Sequence, residues 1–159
     1  MNNKIYLSTV LALGLSALSF TSHASELDQY LQQKRIIDAE YKIKNTTGLN
    51  EILNIISVED SRTLPYQVDQ NTIIEQMQLF ADRVEVKGLI SSPDFEQFAQ
   101  DVGHSEVKKI MKKNLLQNCE MIFEHQFQRV NPYRIELQLS SAQQQYQYQL
   151  QLKNSECQF

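Results

Sequence analysis

The stretch 133-YRIELQLSSAQQQYQYQLQLK-153 decides how the rest of the chain is read. Tyr133, Ile135, Leu137 and Leu139 alternate with Arg134, Glu136, Gln138 and Ser140, and Tyr146, Tyr148, Leu150 and Leu152 alternate with Gln145, Gln147, Gln149 and Gln151. Successive side chains of a strand point to opposite faces, so two such runs around Ser141-Ala142-Gln143 predict a hairpin with one dry and one wet face. The glutamines between Gln143 and Gln151 resemble a low-complexity tract in composition, but their strict alternation with Tyr and Leu assigns them to the wet face.

Upstream of this hairpin, Asn131-Pro132 ends a helical region. Ser92-Pro93-Asp94 reads as its start, with Ser92 as N-cap and Pro93 at the first helical position. Phe95, Phe98, Ala99 and Val102 form a buried stripe, Gly103 interrupts it, and Ser105 recaps a helix over 106–118. Val107, Ile110, Met111, Leu115 and Leu116 face inward there, and Cys119 closes that helix or sits in its continuation through Phe127. Before the helices, Val84, Val86, Gly88 and Ile90 alternate along a strand over 83–90. Its hairpin partner over 72–80 puts Ile73, Met77 and Leu79 on one face with Glu75 between them, a helix over 72–79 being the competing reading. The segment 58–68 has no steady period, and Pro65 pushes Leu64 toward an extended backbone, so it reads as an extended lead-in. At the front, Leu27, Tyr30, Leu31, Ile37 and Tyr41 predict an amphipathic helix over 26–44 capped by Ser25. Asn45 to Gly48 break it, and Leu49, Ile52, Leu53 and Ile56 mark a second short helix. The expectation is one α+β domain, with an antiparallel four-stranded sheet of two hairpins and helices packed on one face. Residues 25–57 supply N-terminal helices and 58–159 the sheet and long helix.

Lys4 followed by the apolar run 5–20 and by Ser22-His23-Ala24 has the order of parts of a secretory signal peptide over 1–24, cleaved after Ala24. The run falls short of the roughly 20 apolar residues that span a bilayer and is diluted by Gly14, Ser16 and Ser19, so no stable membrane insertion is expected after cleavage. The product is expected in the periplasm or secreted fraction. Two cysteines in an exported chain predict a disulfide between Cys119 and Cys157.

Charge and motif content narrow the function classes. The chain carries a formal charge of −4, which argues against nucleic-acid binding. Its dense basic cluster, Lys108, Lys109, Lys112 and Lys113, reads first as a solvated helix face. His104 and His125 lack a second pair of ligands at zinc spacing, and no Gly-rich phosphate loop or Gly-x-Ser-x-Gly elbow occurs, so no metal, no cofactor and no catalytic residue is expected. Asp69 and Glu75 are the candidates for carboxylate chemistry if the chain were a small cell-wall-directed enzyme.

The order Leu64-Pro65-Tyr66-Gln67-Val68-Asp69, then Thr72 and Ile74, a hairpin, a long helix ending at Cys119 and a last hairpin ending at Cys157 resembles small exported Gram-negative proteins. Some of these are grouped as quorum-sensing-regulated virulence factors. The resemblance spans about residues 60–157 and implies a periplasmic or secreted α+β domain without established catalytic residues. Surfaces remain as the expected functional elements. The leading expectation is an interaction module for a protein partner in the envelope or host, with Tyr66 and Tyr133 as contact residues. A carrier of an apolar ligand held between helix and sheet is the other alternative.

Overall fold

A computed structural model describes residues 25–159. The signal-peptide reading lies outside the described residues. Five strands form one sheet in the order β1(Tyr66–Asp69), β2(Thr72–Leu79), β3(Arg83–Ile90), β4(Arg134–Ser141), β5(Gln147–Lys153). The helices are α1(Glu26–Gln33), α2(Thr46–Asp60), α3(Phe95–Val102), α4(His104–Gln117), α5(Cys119–Ile122) and α6(Gln126–Val130).

The final hairpin lies where its alternation puts it. Ile135 pairs with Leu152, Leu137 with Leu150 and Leu139 with Tyr148, and all six side chains face the helices. Gln147, Gln149 and Gln151 face solvent. The first hairpin also forms, which excludes a helix over 72–79.

Two features of the expected sheet are corrected. First, β3 and β4 pair in parallel, Val84 beside Ile135 and Val86 beside Leu137. The connection between them carries four helices, long enough to return the chain to the starting end of β3, as a parallel crossover requires. Second, the lead-in contributes a fifth strand, β1, antiparallel to the start of β2 through Tyr66–Ile74 and Gln67–Ile73. Only part of the lead-in is extended, since α2 runs on to Asp60 and a 3-10 turn covers Ser61–Thr63.

The face of β2 also differs from simple alternation. A bulge between Ile74 and Gln76 inserts Glu75 as an extra residue, so Ile74 joins Met77 and Leu79 on the dry face while Ile73 turns to the wet one. Gly88 lies opposite this irregularity. A Cβ there would stand 2.6 Å from the Ile73 carbonyl oxygen and 3.1 Å from Leu139 Cδ2, so the constraint is space. Gly88→Ala is expected to cost about 1–3 kcal/mol of stability by overpacking. A denaturant melt with an unchanged midpoint would contradict this.

The N-terminal helix is shorter than its apolar period suggests. Ser25 caps α1, its side chain accepting the Asp28 backbone N–H at 3.1 Å. The helix stops at Gln33, and Arg35 takes φ 57°, in the left-handed region. The chain beyond it folds into a tight loop closed by an Ile37–Ile43 bridge and by Lys44 and Asn45 N–H bonds to the Ile36 carbonyl. Asp38 organises this loop by accepting the Glu40 and Lys42 N–H groups, and the Lys44 ammonium at 2.9 Å holds its carboxyl below the usual range. The gain is burial of the adjacent Ile36 and Ile37. The expected break at 45–48 is instead the start of α2, with the Asn45 side chain accepting the Gly48 N–H.

The core lies between helices and sheet in two clusters. The larger gathers Leu31, Ile37, Leu49, Leu53, Phe123, Phe127, Tyr133 and Leu152; the smaller gathers Ile90, Ala99, Val107, Leu139 and Tyr148. Cys119 and Cys157 are joined, with Cα atoms 5.8 Å apart, which ties the segment after β5 to α5.

Candidate functional site

The described surface is least like that of a self-contained domain along β1. All four residues of β1 are exposed, and β1 pairs on one side only. The remainder of β2 is covered differently. Ser57 of α2 accepts the Leu79 N–H at 2.8 Å and donates to the Leu53 carbonyl at 2.8 Å, so a helix closes that end of the strand. At the opposite edge of the sheet, Lys112 of α4 donates to the Gln151 carbonyl of β5 at 2.6 Å and pairs with Glu156 at 2.9 Å. A lysine laid on an edge discourages further strand pairing. β1 carries no lysine; its side chains are Tyr66, Gln67, Val68 and Asp69, and its register shifts between Gln67 and Asp69.

Beside β1 the helical layer leaves an apolar groove of about 420 Å³. Its floor is Thr72, Ile90, Leu137 and Leu139 of the sheet; one wall is Val68 and Asp69, the other is Phe98 of α3, Ile110 and Met111 of α4 and Met121 of α5. The walls are open to solvent: Val68 is 52% exposed, Phe98 41%, Ile110 41% and Met121 70%. Phe98, Val102, Ile110 and Leu116 are therefore corrections to the expected core, all being partly exposed. A helix turns about 100° per residue, so Ile110 stands well to one side of the Val107–Met111 row that meets the sheet. The signal was present in the sequence as more apolar positions on α3 and α4 than one buried stripe can use. The lining carries one charged group, Asp69, whose Oδ1 accepts the Asn71 N–H at 2.7 Å.

The two tyrosines expected at a contact surface part company. Tyr66 is 60% exposed on β1, beside the groove. Tyr133 is 3% exposed, and its hydroxyl sits between the Phe80 and Arg83 carbonyls at 2.8 and 2.9 Å. Burial pushes its phenol up to about 12, and its ring packs edge-on against Phe123 and Phe127. Tyr133 is a core residue that fastens the β2–β3 turn, not a contact. Alternation identifies its face but not the layer above it.

The carboxylates considered for catalysis are not assembled. Asp69 lines the apolar groove, whereas Glu75 is exposed in a separate recess with Gln76, Glu85 and Lys87. His104 stacks on Tyr148 with ring centroids 4.4 Å apart, and His125 Nδ1 meets Ser25 Oγ at 2.8 Å. Among the described residues, no group of three or more His, Cys, Asp or Glu could hold a metal ion, and no helix is long and apolar enough to cross a membrane.

Asp28, which the sequence reading did not single out, is fully buried. Its Oδ2 accepts the Gln126 N–H at 2.8 Å and the Ser25 hydroxyl at 2.8 Å, and its Oδ1 accepts the Phe127 N–H at 3.2 Å. The Ser-x-x-Asp spacing at 25–28 was its one sequence signal.

The exposed strand β1 and the apolar groove beside it thus lie together on one side of the α+β scaffold. No family model matches the chain, and no curated protein matches it. Among solved structures, the chain is similar to a pilotin of the type 2 secretion system of Vibrio vulnificus, at 11% identity and TM-score 0.48, over 72% of this chain and 96% of that one. It is similar also to a Pseudomonas aeruginosa protein described as secreted, at 8% identity and TM-score 0.45, over 71% and 96%. The type II secretion pilotin of Vibrio cholerae aligns at 15% identity and TM-score 0.38, over 70% and 94%.

Proposed function

We propose that this chain is an exported protein-interaction module that takes an extended segment of a partner protein of the envelope or host along β1. The segment adds a sixth strand through the free backbone groups of β1, and its alternate apolar side chains enter the groove beneath Phe98, Ile110 and Met121. Strand addition of this kind draws affinity from main-chain hydrogen bonds and specificity from pockets for every second side chain. The observation that carries the reading is the contrast between the two sheet edges: Lys112 is laid on β5, whereas β1 is exposed beside the partly exposed apolar side chains Phe98, Ile110 and Met121.

Ile110→Asp tests it. Ile110 is 41% exposed, so the substitution is expected to cost about 1 kcal/mol and to leave the chain folded, which a thermal melt of the variant checks. A photo-crosslinking residue at Val68 is expected to give one discrete protein adduct in the native host, absent in the Ile110→Asp background and absent when the crosslinker is moved to Gln149. Equal adducts from Val68 and Gln149 would defeat the reading. A lipid found bound by native mass spectrometry and lost in Ile110→Asp would replace it with an apolar-ligand carrier.

A further inference from the structure

We infer that the opposite flank of α4 is a second binding surface, one that accepts an acidic polypeptide segment. Lys108, Lys109, Lys112 and Lys113 line a trough of about 560 Å³ between α4 and β5, whose apolar part is Leu116 and Leu150. The four ammonium groups come from two turns of helix, and Lys108 and Lys113 are about 7.5 Å apart along its axis.

The cations are incompletely answered within the fold. Lys112 is fixed by Glu156 at 2.9 Å, and Lys109 pairs with Glu106 at 3.0 Å in a contact exposed at both ends, which contributes little. Lys108 and Lys113 have no ion pair among the described residues, in a chain whose formal charge is −4. A chain rich in acids has carboxylates to spare for solvated lysines, yet α4 supplies Glu106 alone. The net acidity makes the concentration of positive charge on this flank a local feature with its own field.

The geometry selects the class of ligand. Cations spread over two turns match successive carboxylates of a chain along their whole length, as one compact phosphate does not. The trough is concave, with β5 as its far wall and Leu116 and Leu150 inside, so a flat anionic bilayer would touch the rim and leave the apolar part uncovered. An acidic segment carrying one apolar residue satisfies both. This surface faces away from the groove beside β1, and neither depends on the other.

The test is fluorescence anisotropy of the purified protein with a labelled eight-residue peptide of Glu around a central Leu, at low and high salt. Binding is expected at low salt and is expected to weaken as salt rises. The Lys108→Gln/Lys113→Gln double variant is expected to bind about five- to tenfold more weakly with an unchanged melting temperature, since both side chains are exposed and unpaired. A peptide with Lys in place of Glu serves as the control. Equal binding of both peptides, equal binding by the double variant, or binding only to vesicles containing phosphatidylglycerol would each overturn the assignment.

Discussion

Replacing Cys119 and Cys157 together by serine is expected to lower the unfolding free energy by about 4 kcal/mol. The bond closes a loop with a sequence separation of 38, and the entropy removed from the unfolded chain by a closure of that length gives this magnitude. Within the folded chain, the same bond fixes the 3-10 turn after β5 to the start of α5, beside Phe123, whose ring also meets Phe159 at 6.0 Å. For a domain of this size the loss corresponds to roughly 12–20 °C in melting temperature. Thermal melts with and without reductant, alongside the double serine variant, measure it. Reduction and substitution should give the same midpoint; a shift below a few degrees would mean that the β5–α5 junction holds without the bond.

Asp28→Ala is expected to cost about 2–5 kcal/mol, the second of the large effects. The carboxylate is buried between α1 and the start of α6, where the Gln126 and Phe127 N–H groups have no intrahelical acceptor. Removing it takes this acceptor from the buried Phe127 N–H and the partly buried Gln126 N–H, and a buried donor that loses its acceptor costs about 1–3 kcal/mol. The Ser25 hydroxyl donates to Asp28 Oδ2 and also lies 2.8 Å from His125 Nδ1. Ser25→Ala removes only the outer part of this network and is expected to cost about 1 kcal/mol. Denaturant unfolding should therefore rank the variants with Asp28→Ala well below Ser25→Ala. The reverse order would show that α6 is positioned by its other fastenings, the Asn131 and Asn154 side chains.

These effects sit where local pattern stops being informative. The alternation over 133–153 survives folding because each residue's face is fixed by its own strand, whatever lies above. The same rule fails over 72–79, where Glu75 forms an irregularity that exchanges the faces of Ile73 and Ile74. A bulge is set by pairing with another strand, and no periodicity within β2 encodes it. The helix expected over 26–44 fails for a related reason. Its apolar spacing is real, but Ile36 and Ile37 reach the core by leaving the helix after Gln33.

The candidate surface divides in the same way. Tyr66 and Tyr133 were indistinguishable as candidates for exposure until the helical layer covered one and not the other. The apolar residues of α3 and α4 were visible as a surplus, while the groove they form requires knowing that β1 adds an exposed edge beside them. The lysines of α4 were plain as a cluster, and the wall that turns them into a trough belongs to β5, nearly 40 residues away in the chain.

By itself the sequence determined the last hairpin and the strand over 83–90, the polar face made of glutamine, the helical character of the long connection and the pairing of two cysteines, because each follows from local spacing or from a count that admits one partner. Tertiary structure alone decided that β3 and β4 run parallel, that a fifth strand borders the sheet, and which apolar side chains stay in water. Those outcomes depend on how layers far apart in the chain cover one another, and coverage is a property of packing that no single segment carries.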